Sequence, residues 1–315
     1  MSGAEALHNS IDLARHTEVL GYGRYWVAEH HGTPMLACAA PEVLIGAIAG
    51  ATSKIRVGSG GVMLPHYSPL KVAEAFSMLA ALYPQRVDLG LGRAAGTDST
   101  TTFALQRDRR QPGPDDFPQQ LAELMAYLED RMPPEHPFAR LSLLPGRPET
   151  PELWLLGSSP QSGIWAAEVG LPYAFADFIT PTGAAIAAQY RRDFTRDGYS
   201  PEPRVIVAAS VICAETDEEA EILATSARMV FTLLREGDLR PVPSPEDAIA
   251  FFRKRGVDPL ASPQGRRVIA GSPATVRAGI QAVAAEYQAE EVMIVTITHD
   301  HAARKKSYEL IARIR

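Results

Sequence analysis

The chain has 315 residues, of which 46% are hydrophobic and 22% are charged, and its formal net charge is −6. This balance is typical of one large globular domain or two smaller ones, and the lack of a basic stripe excludes a general nucleic-acid-binding protein. The only cysteines, Cys38 and Cys213, lack metal-type spacing and indicate a reducing compartment without disulfides. Neither a signal peptide nor an apolar run of about 20 residues is found, so we expect a cytoplasmic protein without membrane association.

Hydrophobic periodicity predicts helices that alternate with strands after a first helix that ends near Gly21. Strands are predicted at 25–28, 55–64, 86–91, 152–156, 173–178, 204–213 and 291–298. Further helices are predicted at 41–51, 69–82, 119–129, 159–169, 184–194, 217–234, 274–287 and 304–314. Such alternation favours an α/β fold with parallel strands. A (β/α)₈ barrel needs eight strands, and seven are predicted here. Because the sequence begins directly with a helix, we expect the missing strand to be the first one, which either lies upstream of this start or leaves the barrel open or patched there.

A Pro-rich segment breaks this alternation between about residues 107 and 150, after the strand Arg86–Leu91. It contains QPGPDDFP and MPPEHP around one helix. The segment is too small and too poor in strands to hold a core of its own. We therefore expect a single domain over residues 1–315, in which 107–150 is an inserted excursion or a lid.

Glu29, His30 and His31 follow the strand 25–28 directly. Catalytic groups of barrel enzymes lie at the C-terminal ends of strands, where this triplet is expected. A lone histidine is more commonly a solvated residue or one with a purely structural hydrogen bond. With a carboxylate beside a pair of histidines, a structural role and a role in proton transfer are about equally expected. The triplet is thus a candidate catalytic site.

Gly60 and Gly61 interrupt the strand 55–64. Consecutive glycines within a strand indicate either a flat ligand that lies against bare backbone or a plain β-bulge. The residues alone leave both alternatives open.

Two loops at the ends of later strands suit a phosphate. Arg93, within GLGRAAG, is either a fixed cation at a strand end or a surface arginine. In GSSPQSG, Ser159 is suited to a helix N-cap and Pro160 to the first helical position, so the motif is either an anion site with the Ser159 and Ser162 hydroxyls or an ordinary capped helix. Because their strands are consecutive, we expect Arg93 and Ser159 to hold one phosphate together.

Four motifs resemble, in the same order, the bacterial luciferase-like flavin monooxygenases, in the non-luminescent branch of luciferase-family oxidoreductases. They are WVAEHH, GGVMLPHYSPLKVAEAF, RVDLGLGRAAGTD and LLGSSPQSGIWAAEVGLPYAFA. The resemblance covers nearly the whole chain and implies a (β/α)₈ TIM barrel. It also implies that reduced FMN from a separate NAD(P)H:flavin reductase activates O₂ as a flavin C4a-peroxide that oxygenates a small organic substrate. The strand with a motif like LSVLDQSP, with which the family usually begins, is not found here.

The resemblance also implies the roles of individual residues. Gly60-Gly61 matches a non-proline cis peptide bond that supports the flavin ring, and His30 matches the family's catalytic histidine, with Glu29 expected to orient or charge the same edge. The cofactor-binding positions implied are Gly60, Gly61, Arg93, Ala95, Ser159 and Ser162. No metal site is expected, because the histidine pairs lack helical i, i+4 spacing with a third ligand.

Two alternatives share the same fold. One is a deazaflavin F420-dependent oxidoreductase of the same superfamily, which transfers hydride without O₂, and the other is a non-catalytic flavin-binding homologue. The resemblance further implies a homodimer. High Ala, Arg and Gly usage fits a GC-rich bacterial genome and is a weak indication of an enzyme of secondary metabolism.

Overall fold

The computed structural model describes residues 1–93, 97–106, 109–110, 115–146, 149–261 and 267–314. The chain divides into two compact units, each of which is described by itself. Unit I comprises Tyr22–Gly32 and Ala37–Leu156, and unit II comprises Met1–Gly21, Thr33–Leu36 and Gly157–Arg315. The candidate histidines therefore lie in unit I, and the candidate serines lie in unit II.

Unit I is built on parallel strands that pair in chain order, with helices between them. Its strands are β1 Arg24–Val27, β2 Arg56–Met63, β3 Val87–Gly92 and β4 Glu152–Gly157, of which the last residue belongs to unit II. Its helices are α2 Pro41–Ala51, α3 Pro69–Leu82, α4 Ser99–Leu105 and α5 Phe117–Glu129, with a 3₁₀ turn at Leu64–His66. Proline lies in the first turn of α2, α3 and α5, where its missing N–H costs no hydrogen bond.

The glycine pair in β2 lies at an irregularity of the sheet. The β2–β3 register shifts between Gly60 and Val62, and the peptide bond between Gly60 and Gly61 is cis. A Cβ atom on Gly61 would lie 2.7 Å from the carbonyl oxygen of Gly90. The backbones thus approach too closely for a side chain at Gly61, which fits the β-bulge alternative, while the flat-ligand alternative stays a prediction. The cis bond lies where the resemblance implies it.

A buried ion network joins the beginnings of the four strands of unit I. Asp88 is fully buried and accepts hydrogen bonds from Arg24 Nη1, Arg56 Nε and Trp26 Nε1, each at 2.8 Å. Glu152 accepts a further bond from Arg24 at 3.0 Å. A buried charge is tolerated only when it is paired and hydrogen-bonded, so this network fixes the strands relative to one another.

Unit II is organised around its longest strand, β6 Val205–Cys213. The other strands, which all pair with β6 in parallel, are β5 Tyr173–Ala176, β7 Val268–Gly271 and β8 Glu291–Val295. The helices are α1 Gly3–Val19, α6 Pro160–Val169, α7 Ala184–Arg192, α8 Asp217–Glu236, α9 Pro245–Lys254, α10 Pro273–Tyr287 and α11 His301–Ala312. No helix in the described ranges is long and apolar enough to cross a membrane.

The seven predicted strands are all present, with small differences at their ends, but the count of seven is wrong. The eighth strand, β7, has only four residues and shows no apolar alternation. Two helices were also missed. Helix α4 is threonine-rich and buries no residue, whereas α9 carries a recognisable signal in its Ser244 cap and its buried Ala248 and Phe252 at i, i+4 spacing.

The predicted start of the last helix at residue 304 is also wrong. Asp300 is the N-cap of α11 and accepts a hydrogen bond from the Ala303 N–H at 2.7 Å, so the helix begins at His301. Within the Pro-rich segment, α5 buries Phe117, Leu121 and Leu124 and contacts α3. This part of the predicted excursion is therefore a regular packed helix.

We expect Asp88→Ala to lower the free energy of unfolding by about 3–5 kcal/mol, because it leaves the two arginines of a buried network without their shared carboxylate. Urea denaturation followed by circular dichroism measures the change. The matched control is Asp238→Ala, since Asp238 pairs with Arg240 at the surface and surface pairs contribute little. Equal urea midpoints for the two variants would contradict a structural role for the Asp88 network.

Candidate active site

The carboxylate of Glu29 lies at the centre of the candidate site in unit I. Its side chain is fully buried just beyond β1. It accepts hydrogen bonds from the Met63 N–H at 3.0 Å and the Tyr67 hydroxyl at 2.9 Å, and it lies 2.7 Å from His31 Nε2. The burial of this carboxylate is thus compensated by three polar partners.

The two histidines occupy different environments. His31 contacts Glu29 through its side chain, packs edge-on against His66 with ring centroids 5.7 Å apart, and accepts a hydrogen bond from the Thr97 hydroxyl at its carbonyl oxygen. His30 instead donates its backbone N–H to the carbonyl oxygen of Cys38 at 2.9 Å. The carboxylate–imidazole pair is therefore formed with His31 and not with His30.

Burial shifts the titration of several groups around Glu29. It lowers the pKa of His30, an effect that the negative charge of Glu29 partly opposes. It raises the pKa of the Tyr67 hydroxyl, and Glu29 raises it further, while the Cys38 thiol has its pKa raised to about 11. Near neutral pH the imidazole of His30 is thus neutral, and Tyr67 and Cys38 keep their protons.

The structure brings the glycine pair of β2 next to the triplet. The Glu29 N–H donates to the Gly61 carbonyl oxygen at 3.4 Å, and a Cβ atom on Gly60 would lie 3.3 Å from the Trp26 side chain. Two groups of residues predicted from separate stretches of the sequence therefore form one cluster at the end of β1 and in β2.

Arg93 lies at the end of β3, as expected, with its side chain 48% exposed. Its guanidinium contacts Asp115, at 3.2 Å from Nε and 2.5 Å from Nη2. A phosphate bound at Arg93 would compete with this carboxylate. Ala95, the neighbouring predicted position, lies outside the described residues.

In unit II, Ser159 is the N-cap residue of α6, but its side chain makes no capping hydrogen bond. Ser162 is buried, and its hydroxyl donates to the Ser159 carbonyl oxygen at 2.8 Å and lies 2.9 Å from the Tyr173 hydroxyl. Burial raises the pKa of Tyr173 to about 12, so Tyr173 keeps its proton. Arg93 belongs to unit I, so the shared phosphate site predicted with Ser159 stays a prediction.

Five residues that contact the triplet were not predicted from the sequence: Cys38, Met63, His66, Tyr67 and Thr97. Tyr67 lies within the quoted GGVMLPHYSPL motif and follows His66, so its position carried a signal. The Met63 contact is made by the backbone, and Thr97 acts through a hydroxyl on a loop. Neither contact can be recognised from a pattern of residues in the sequence. In the described ranges, no group of three or more His, Cys, Asp or Glu side chains has the arrangement of a metal site.

The sequence profile of the family described as luciferase-like monooxygenase matches residues 1–291. A luciferase-like monooxygenase of Escherichia coli strain K12 is 40% identical over 314 residues, which is 98% of this chain and 91% of that protein. An N-acetyl-S-alkylcysteine monooxygenase of Bacillus subtilis strain 168 is 36% identical over 99% of this chain and 93% of the relative.

Solved structures agree with this assignment. The crystal structure of apo-MsnO8 matches with a TM-score of 0.91 and 44% identity over 100% of this chain and 94% of that chain. An FMN complex of the oxygenating constituent of a Pseudomonas putida 3,6-diketocamphane monooxygenase, 22% identical, has a TM-score of 0.74 over 99% and 93%. An F420-dependent tetrahydromethanopterin reductase of Methanopyrus kandleri, 16% identical, has a TM-score of 0.69 over 98% and 94%. These last two matches concern the fold alone.

The profile and the relatives cover nearly all of the chain, and the structural matches confirm the predicted α/β fold class with parallel strands. The protein belongs to the luciferase-like monooxygenase family.

Proposed function

We propose that the protein is a flavin-dependent monooxygenase that uses reduced FMN and O₂ to transfer one oxygen atom to a small organic substrate. The observation that carries this proposal is the cluster in unit I, where an imidazole that burial keeps neutral lies in the same cluster as a stretch of bare glycine backbone. Family membership supports the reaction class, and the FMN-bound relative in the same fold supports the cofactor.

The residues present fit FMN in three respects. Gly60 is half-buried and carries no side chain, as contact with a flat ring requires. The N-terminus of α6 has no side-chain cap at Ser159, so its backbone N–H groups suit a phosphate. Arg93 adds an exposed cation. In unit I, the two glycines would hold the ring, and the reduced cofactor would supply the two electrons that activate O₂. The phosphate-binding positions that the resemblance implies, Arg93 and Ala95 and, in unit II, Ser159 and Ser162, stay predictions.

The chain's own residues then have distinct tasks. His30 is neutral near pH 7, so its imidazole accepts a proton from the reacting centre and returns it. Glu29 is enclosed by its three partners and orients the triplet. The Pro-rich segment outside α5 would serve as a lid that excludes water.

The proposed reaction consumes reduced flavin, and we infer that a separate NAD(P)H:flavin reductase supplies it. For the substrate, the Bacillus subtilis relative named for N-acetyl-S-alkylcysteines directs the first screen to thioethers, and the fold relative named for 3,6-diketocamphane adds that diketone. Hydride transfer with reduced F420 and binding of flavin without turnover are the alternatives that the same assays distinguish.

We expect His30→Ala to bind FMN within about threefold of the wild-type Kd but to lose at least about 100-fold in substrate oxygenation, because proton transfer by a positioned side chain contributes 10²–10⁴-fold. FMN fluorescence titration measures binding, and product formation with photoreduced FMN, O₂ and the thioether panel measures turnover. His8→Ala is the control, since His8 lies exposed on α1 in unit II. Wild-type turnover in His30→Ala would exclude the assigned role. Turnover with reduced F420 in the absence of O₂ would show that the cofactor is F420 and not FMN.

The pH dependence follows from the lowered pKa of His30. Burial disfavours the charged imidazole, so the neutral, proton-accepting form persists to lower pH than for an ordinary histidine, whose pKa is about 6.5. We expect the acid limb of kcat/KM for oxygenation to have its midpoint below pH 6.5. A midpoint above that value would show that a different group, or a charged His30, controls the reaction.

We also propose a homodimer formed through α2 and α3, which contact each other in unit I. The exposed residues Val43, Ala47 and Gly50 lie at i, i+4 and i+7 on α2, and Met78 and Leu82 are exposed on α3. The exposed fractions are 71% for Val43, 52% for Met78 and 66% for Leu82. A helix that is apolar on its exposed side as well as its buried side is typical of an interface.

Val43→Glu combined with Met78→Glu places two like charges on each side of that interface. We expect the dissociation constant of the dimer, measured by sedimentation equilibrium, to rise at least about 100-fold. Val19→Glu is the matched control, because Val19 is 85% exposed on α1 in unit II. A wild-type monomer, or a double variant that stays dimeric, would exclude this face as the interface.

A further inference from the structure

Glu29 is surrounded by donors in a way that separates its task from that of the neighbouring histidines. Oε1 contacts both the Tyr67 hydroxyl and His31 Nε2, while Oε2 accepts the Met63 N–H. Both carboxylate oxygens are thus engaged within unit I. A side chain held in this way orients its partners.

We propose that Tyr67 and His31 are positioning residues that clamp the buried Glu29 carboxylate. This clamp fixes the ring of His31 with its hydrogen on Nε2, and it also fixes the backbone on both sides of His30. An ionised carboxylate only accepts hydrogen bonds, so the hydrogen between Glu29 and His31 belongs to Nε2. Nδ1 is then the nitrogen that accepts a proton. The effect on turnover rests on the proposed function, whereas the state of the His31 ring does not.

The backbone contacts explain how this clamp acts on His30. On one side, the Glu29 N–H donates to the Gly61 carbonyl oxygen, and on the other, the His31 carbonyl oxygen accepts the Thr97 hydroxyl at 2.8 Å. His30 itself donates its N–H to Cys38. His30 is thus held between two fixed neighbours, and its imidazole also forms a hydrogen bond with the backbone of Ala28, so the ring is placed without a contact to the Glu29 carboxylate.

Tyr67 is the member of the clamp that can be tested with the smallest change. Burial and the charge of Glu29 raise the pKa of its hydroxyl, so the hydroxyl acts as a lasting donor. Tyr67→Phe removes only this donor and keeps the ring. The chain offers a matched control in Tyr83→Phe, since the Tyr83 hydroxyl donates to the Gly46 carbonyl oxygen at 3.1 Å between α3 and α2.

The first experiment needs neither cofactor nor substrate. Long-range ¹H–¹⁵N correlation spectra of ¹⁵N-histidine-labelled protein report which ring nitrogen carries hydrogen. In the wild type and in Tyr83→Phe we expect an Nε2–H of His31 that is protected from solvent exchange. Glu29→Gln and Tyr67→Phe should each lose this protection. Hydrogen on Nδ1 of His31 in the wild type would overturn the proposal, and so would unchanged protection in Glu29→Gln.

The second experiment measures kinetics with reduced FMN and O₂. We expect Tyr67→Phe to lower kcat at least about tenfold with KM and FMN affinity within about threefold of wild type, because a displaced proton carrier affects the chemical step. Tyr83→Phe should change none of these values. Equal kcat for the two variants would overturn the positioning role of Tyr67. If the wild type itself shows no oxygenation, the proposed function fails while the spectra still decide the state of His31.

Discussion

An ionised carboxylate cannot be buried without donors, and this constraint determines how β1 is held in unit I. Asp88 draws Arg24, Arg56 and Trp26 together near the beginning of the strands. Glu29 draws Tyr67 and other partners together where β1 ends. Because an unpaired buried charge costs several kcal/mol, each network tolerates few other arrangements of the neighbouring backbone. The short strand β1 is thus fixed at both ends by polar contacts in addition to its pairing with β2.

The networks of Asp88 and Glu29 lie at opposite ends of the parallel strands of unit I. Asp88 and its arginines lie at the N-terminal ends of parallel strands, where barrel folds place residues that serve stability. Glu29, His30 and the glycine pair lie at the other end, where such folds place their chemistry. The backbones of β2 and β3 also approach each other closely there, at Gly61 and Gly90. Position along the strand, more than residue type, therefore underlies the different roles proposed for these two buried acidic residues.

The two adjacent histidines are identical side chains in different surroundings. His31 is engaged with a carboxylate and with His66, whereas burial lowers the pKa of His30. Environments that differ in this way are a common basis for separate roles in acid–base chemistry. Membership of the luciferase-like monooxygenase family does not by itself assign a role to either ring, and the roles proposed for them rest on their local surroundings.

Much of the architecture was determined by the sequence itself. Apolar periodicity and Pro at the first turn predicted α2 and α3 with their observed ends, and the order of the motifs led to the family. Strand β7 was not predicted, because its four residues are too few to show a hydrophobic periodicity. The partners of the candidate site were decided by the tertiary structure. Glu29 meets Tyr67 across 38 positions of sequence, and Ser162 meets Tyr173 across 11. Sequence periodicity reports which face of an element is buried, but the partner of a buried polar group depends on which distant segments the fold brings within hydrogen-bonding distance.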